Sequence, residues 1–287
     1  MKGRVAVTGW SAFVPGFASL ADFVAERPSA EHDAPTGALV PLRERRRASP
    51  LSRALADAYA GAIGQAALDP KAVASVFGSA LGEVSTMIAL LDQMWSAATP
   101  LSPMKFATSV HNAASGMISI ATANRGFTTS LGADYDTPAM GLFEGIAFVQ
   151  SHGVSAVVCC GDEAPPENLV PPDTAWSLLS VAIALCPVEQ APPGSPQLSA
   201  LALGEGDEGM GHGPVVGDGD GRGGHDRGAR GMAPIAVPAM ATALGRNPNA
   251  GLFDLAVALE RGAEGRLRLD RGRGRGYSIC VHRAPAA

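Results

Sequence analysis

"SPMKFATSVHNAASGMISIATANRGFTTSLGADYDTPAMGLFEGIAF" runs from Ser102 to Phe148. Small or apolar residues occupy every position around the segment Ala113 to Ala123, which predicts a helix apolar on all sides and placed in the middle of a core. Phe127 to Leu131 follows as a short strand, rich in aromatic and β-branched residues. A second helix is expected from about Thr137, carrying Met140, Phe143 and Ala147 on one side. The residues between, Ala133-Asp134-Tyr135-Asp136-Thr137, therefore fall on a turn between a strand ending near Gly132 and the start of that helix.

The flanking sequence has the same alternation. Upstream, Arg4 to Trp10 and Ala74 to Ala80 predict strands, and the segments from Ser52 (with Leu55, Tyr59 and Ile63 four residues apart) and from Val84 to Trp95 predict helices. The run Arg43-Glu-Arg-Arg-Arg47 reads as a solvated face. Downstream, Val154 to Cys160 is a buried strand ending in Gly161-Asp-Glu. Strands and helices in this order predict an α/β sheet covered by helices on both faces.

The order breaks after Glu163. Pro165, Pro166, Pro171 and Pro172 crowd together, and two apolar segments follow, Trp176 to Cys186 and Leu198 to Leu203. Gly204 to Gly231 holds 12 glycines in 28 residues; it buries too little to offset its ordering entropy and reads as a disordered loop. Asn249 is placed to cap a helix bearing Leu252, Leu255, Ala256 and Leu259, and the chain closes in a hairpin of Arg266-Leu-Arg-Leu and Tyr277-Ser-Ile-Cys-Val.

Composition bounds the function. The chain has 287 residues, 46% of them hydrophobic, a net charge of −5 and a mean hydropathy of +0.13. A substantial core is affordable, and neither nucleic acid nor an acidic membrane is expected as a partner. No run of 18 apolar residues and no signal-peptide core occurs, so the expected location is the cytoplasm. The cysteines, Cys159, Cys160, Cys186 and Cys280, form no C-x-x-C pair and are expected to be small buried hydrophobes. There is no G-x-S-x-G, no Walker A loop and no G-x-G-x-x-G between strand and helix. Gly217 to Asp226 lacks the spacing of a calcium loop, and His212 and His225 sit in the same glycine-rich tract. No cofactor and no metal are expected.

In their order and spacing, Ser102-Pro-Met-Lys-Phe106, Ser109-Val-His-Asn112, the small helix, the strand and the turn resemble the N-terminal half of the β-ketoacyl synthases. Arg47 to Leu68, Val76-Phe-Gly-Ser-Ala-Leu-Gly-Glu83, Gly141-Leu-Phe-Glu-Gly145 and Val157 to Glu163 support the resemblance, which covers residues 1–165 and returns at Asn247-Pro-Asn-Ala-Gly-Leu-Phe-Asp-Leu and in the closing hairpin. The likeness is to a shorter branch, the chain-length-factor-like proteins found with type II fatty-acid or aryl-polyene synthase components. It implies a thiolase-like fold: an N-terminal half-fold in residues 1–165, an abbreviated second part in 166–203 and 232–287, and the 204–231 loop between.

The same resemblance shows what is missing. In the family a cysteine at a helix N-terminus, where the dipole favours thiolate, takes the acyl chain as a thioester, and two histidines of the second half assist decarboxylation. Here the nucleophile position falls on Tyr135 or Asp136, and the histidine segments are absent. A phenol with a pKa near ~10 cannot replace the thiolate. His111 precedes the small helix and reads as a core or interface residue.

The implied function is a non-catalytic, chain-length-factor-like partner of a full-length β-ketoacyl synthase, working with an acyl carrier protein. Phe127, Thr128, Thr129, Ser130 and Leu131 would form the pairing strand, and Met140 and Phe143 would line an acyl tunnel or the core. Two alternatives stay open: a truncated acyltransferase or condensing enzyme using a nucleophile such as Cys160, and a homodimeric acyl-binding scaffold.

Overall fold

A computed structural model describes residues 3–96, 100–203, 232–237 and 239–283. Among these, the strands are β1 (Val5–Phe13), β2 (Ala74–Gly78), β3 (Thr128–Leu131), β4 (Ala156–Asp162), β5 (Leu179–Cys186), β6 (Gln197–Leu203), β7 (Gly265–Arg268) and β8 (Tyr277–His282). They form one mixed sheet in the order β3-β2-β4-β5-β1-β6-β8-β7. β2 runs parallel to β3 and to β4, and the other pairings are antiparallel. β2, β4 and β5 are buried along their whole length, as their unbroken apolar runs require, because both faces of such strands must be covered.

One cover is α3 (Pro50–Gln65), which crosses β1, β4 and β5 with α6 (Ala113–Thr122) beside it. Ser49 opens α3 by accepting the Ser52 N–H at 2.9 Å, and Pro50 fills the first helical turn, where no N–H is needed. Glycines permit the close approach: a Cβ on Gly9 would stand 2.3 Å from the Ala62 carbonyl oxygen. Tyr59, Phe77, Ile118 and Val157 form the core on this face. The opposite face carries α1 (Leu20–Val24), α7 (Thr137–His152) and α9 (Ala250–Glu260), packed on Val158, Ile183 and Leu185 through Leu142, Ile146 and Leu255. The thiolase-like α/β architecture expected from the sequence is the one found, and the closing hairpin is β7–β8.

Three expectations change. β5, built from the apolar segment after the prolines, lies between β4 and β1 and bonds to both. β1 bonds to β5 and β6, so its place in the sheet depends on residues after 165. α6 is not enclosed: Ile120 is 79% exposed and Gly116 faces open space, because only one side of the helix rests on α3 and β3. Asn249 begins α9 but makes no side-chain cap; its amide is used elsewhere, as described below. The glycine-rich stretch 204–231, with its two histidines, lies outside the described residues.

The two edges of the sheet differ. Beside β7, Ile235 N–H donates to the Arg266 carbonyl at 2.8 Å and Arg266 N–H donates to that of Ala233 at 2.9 Å, so a strap of chain covers that edge. No described residue covers the outer edge of β3. Among the described residues no helix is long and apolar enough to cross a membrane.

Candidate functional site

β3 leads into the turn that the sequence singled out. After Leu131 come Gly132 and Ala133, then a single 3-10 turn at Asp134–Asp136, then α7. Thr137, fully buried, ties the turn together: its hydroxyl donates to the Asp134 carbonyl at 2.7 Å and accepts the Ala133 N–H at 3.0 Å. Asp134 sits at the apex in the left-handed region, with φ +51°, a conformation uncommon outside glycine. The sequence placed the degenerate nucleophile position at Tyr135 or Asp136; the strained, exposed residue between strand and helix is Asp134, and Asp136 has φ −88°. Aspartate tolerates this backbone geometry, so nothing in the string D-Y-D marked which residue takes it.

The other two turn residues are covered. The Arg273 guanidinium lies over the Tyr135 ring, 5.6 Å from its centroid. Asp136 Oδ1 accepts the Arg275 N–H at 2.9 Å. The turn thus presents carboxylates and a phenol, and no thiol. Cys160 does not supply an accessible one: it is wholly buried in β4, and burial, with Asp162 adding to it, pushes its thiol far above the ordinary range. His111 packs beside Gly132 with Nε2 2.8 Å from the Ser79 carbonyl, an acceptor that fixes the proton on Nε2.

The proposed pairing and tunnel residues separate into two places. β3 is half-buried throughout, with Thr129 opposite Val76. Ser130 Oγ lies 2.8 Å from Ser115 Oγ on α6, so Ser130 faces α6 and Thr129 faces the α7 side. Phe127 is exposed at the end of the strand and stacks on Phe148 at 4.8 Å. Met140 packs partly buried against the core under α7, whereas Phe143, one turn further on, is exposed. Beyond α6, a groove of about 490 Å³ runs between it, α2 (Leu42–Arg45) and α5 (Pro103–Ala107). Met104, Val110, Met117 and Ile120 supply its apolar lining, and Arg43 and Arg47 its rim.

Sequence reasoning passed over a buried carboxyl network behind the turn. Asp162, 1% exposed at the end of β4, accepts the Ser79 hydroxyl at 2.7 Å, the Ala80 and Leu81 N–H groups at 2.9 and 3.0 Å, and the Asn249 amide at 2.6 Å. The Asn247 amide donates to the Asp162 carbonyl at 3.1 Å. Glu163 accepts the Ser85 N–H at 2.8 Å near the start of α4 (Val84–Ser96), and Glu83 accepts the Ser52 hydroxyl at 2.5 Å. The only sequence signal was the pair Gly161-Asp-Glu at a strand end.

Burial raises the pKa of Glu83, and its second oxygen, Oε2, has no partner. A folded-state pKa above the unfolded value means that the folded chain keeps a proton the unfolded chain releases. The associated stability is full below the unfolded glutamate pKa of about 4.3 and is lost as pH rises through the folded value. Glu83→Gln should therefore melt above the parent at pH 8 and converge with it near pH 4. Parallel pH series of thermal melts check this; a variant tracking the parent at every pH would show that Glu83 titrates normally.

The sequence matches the family described as "Beta-ketoacyl synthase, N-terminal domain" over residues 23–204. No curated protein matches it. Among solved structures, the fold resembles one described as a ketosynthase (ApeO) in complex with its chain length factor (ApeC) from Xenorhabdus doucetiae, at TM-score 0.63 and 18% identity, covering 98% of this chain and 100% of that one. It also resembles the ishigamide ketosynthase/chain length factor, at TM-score 0.57 and 16% identity, covering 68% of this chain and 66% of that one. A third is AntDE:AntF, a type II polyketide acyl carrier protein in complex with its ketosynthase, at TM-score 0.54 and 14% identity, covering 66% and 64%.

Proposed function

The chain belongs to the β-ketoacyl synthase family by its N-terminal domain, and from that membership we propose that it is a non-catalytic, chain-length-factor-like partner of an active β-ketoacyl synthase. The setting would be type II acyl, polyketide or aryl-polyene assembly, with an acyl carrier protein delivering the growing chain to the active subunit. The observation that carries this reading is the turn after β3. Asp134 is held in left-handed geometry between strand and helix, the two residues read as the degenerate nucleophile position, Tyr135 or Asp136, lie beneath a hairpin, and no cysteine stands on this turn. A carboxylate there would form only an unstable mixed anhydride with an acyl group and would repel malonate. The uncovered edge of β3 and the apolar groove beside α6 fit a chain that is completed by another subunit.

The chain alone is expected to take up no acyl group from an acylated carrier protein and to condense none with malonyl units. Intact-mass spectrometry after incubation tests it. A stable acyl adduct abolished by Cys160→Ser would favour the condensing-enzyme alternative, against which the burial of Cys160 weighs heavily.

A further inference from the structure

We propose that Asp136 is a latch that holds the hairpin turn 270–276 shut over the β3–α7 turn, leaving no cleft there for an acyl thioester. The inference deepens the non-catalytic reading and rests on it for its meaning, though not for its geometry. The sequence Asp270-Arg-Gly-Arg-Gly-Arg-Gly276 is shaped from within. Asp270, 3% exposed, accepts the Gly272 and Gly276 N–H groups at 2.9 and 2.7 Å and pairs with Arg268 at 2.5 Å. Arg271 grips the buried Asp254 of α9 with two bonds of 2.6 Å, and Arg273 Nη1 donates to the Arg246 carbonyl at 3.0 Å. These contacts define the hairpin and tie it to the helix layer, but none of them reaches the turn at 134–136.

Asp136 supplies that link. Its Oδ1 accepts the Arg275 N–H at 2.9 Å, and its Oδ2 lies 3.8 Å from Arg275 Nε. The fit is close enough to demand glycine at 274, where a Cβ would stand 2.2 Å from Asp136 Oδ1. Arg273 over Tyr135 adds a second, weaker contact from the same hairpin. Tyr135 and Asp136, the two residues at which the family resemblance places the lost nucleophile, are thus used to seat a cover. This accounts for both the acid at 136 and the glycine between two arginines.

Hydrogen–deuterium exchange of the full chain tests the latch. A hydrogen bond to a carboxylate is among the stronger ones, so Asp136→Ala should speed exchange of the amides from Arg273 to Gly276 roughly tenfold or more. Those of β8 and α9 should not change. Gly274→Ala should do the same, and the double variant should exchange no faster than the faster single, because both remove one contact. Asp136→Asn keeps an acceptor oxygen and should stay near the parent. The four native cysteines are buried, so iodoacetamide on a Tyr135→Cys chain reads that position, slowly alone and faster with Asp136→Ala. Unchanged exchange in Asp136→Ala, or an equal rise through the whole chain, would overturn the latch. Pairing with a ketosynthase is read separately, by co-elution. Its loss with the hairpin protected would contradict the proposed function and leave the latch standing.

Discussion

Asp162→Ala is expected to lower the unfolding free energy by about 3–4 kcal/mol, since it strands three or more buried donors at roughly 1 kcal/mol or above apiece. Every group facing the carboxyl is a donor: the Ser79 hydroxyl, the Ala80 and Leu81 amides and the Asn249 side chain. Burial raises its pKa above the ordinary carboxylate value, and these four bonds oppose that rise without cancelling it. The node joins the loop after β2, the end of β4 and the start of α9, so its loss separates parts that are distant in sequence. Asp162→Asn turns an amide NH2 toward donors and should cost less, about 2 kcal/mol. Urea titration gives both values, provided the slope of the transition is unchanged. A loss below 1 kcal/mol for the alanine variant would mean that water replaces the carboxylate and that the node does not hold the two parts together.

The network also shows where sequence reading stops. Helices through residue 163 are legible because the 3.6-residue pattern is local, the buried strands β2 and β4 are legible as short apolar runs ending at glycine, and the family resemblance supplies their order. β5 was not placed, although Trp176 to Cys186 is plainly apolar, because a fully buried strand has no alternation and its position between β1 and β4 depends on partners far away. The neighbours of Asn249 predict a helix cap, yet its amide goes to Asp162, 87 residues away. α6 misled in the opposite sense. Its all-round apolar surface is real, but one flank lies open in the single chain, and a sequence cannot say whether the covering surface belongs to the same molecule. The stretch Ala133 to Thr137 is legible in the sequence as a turn but not as a site. Which of three residues takes positive φ, and which hairpin lies above it, are tertiary facts.

That open flank bears on the partnership. Ser75 and Ser79 donate their N–H groups to the carbonyls of Phe127 and Leu131, so odd-numbered residues of β3 turn their backbone toward β2. Thr128 and Ser130 therefore turn theirs toward the open edge. Thr128→Pro removes an outward N–H without touching the β2–β3 bonds, and edge strands tolerate proline at such a position. The isolated chain should keep its fold. Pairing with a full-length ketosynthase through this edge should weaken by about 3 kcal/mol or more, which is over a hundredfold in Kd. Thr129→Glu is a second probe. Its side chain lies half-buried on the α7 face, so it disrupts pairing only if the partner also covers that face and buries an unpaired charge. Interfaces of obligate complexes commonly bury more than ~2,000 Å², more than strand pairing alone provides, so the exposed apolar surface of α6 beside β3 should be covered as well. Co-expression with a candidate ketosynthase, size-exclusion chromatography and an elongation assay read the result. Co-elution lost in Thr128→Pro, together with a change in product length when the chain is omitted, is the expected pattern. Separate elution of the parent chain, with elongation unaffected by its absence, would remove the partner role and leave self-association through the same edge as the use of the exposed strand.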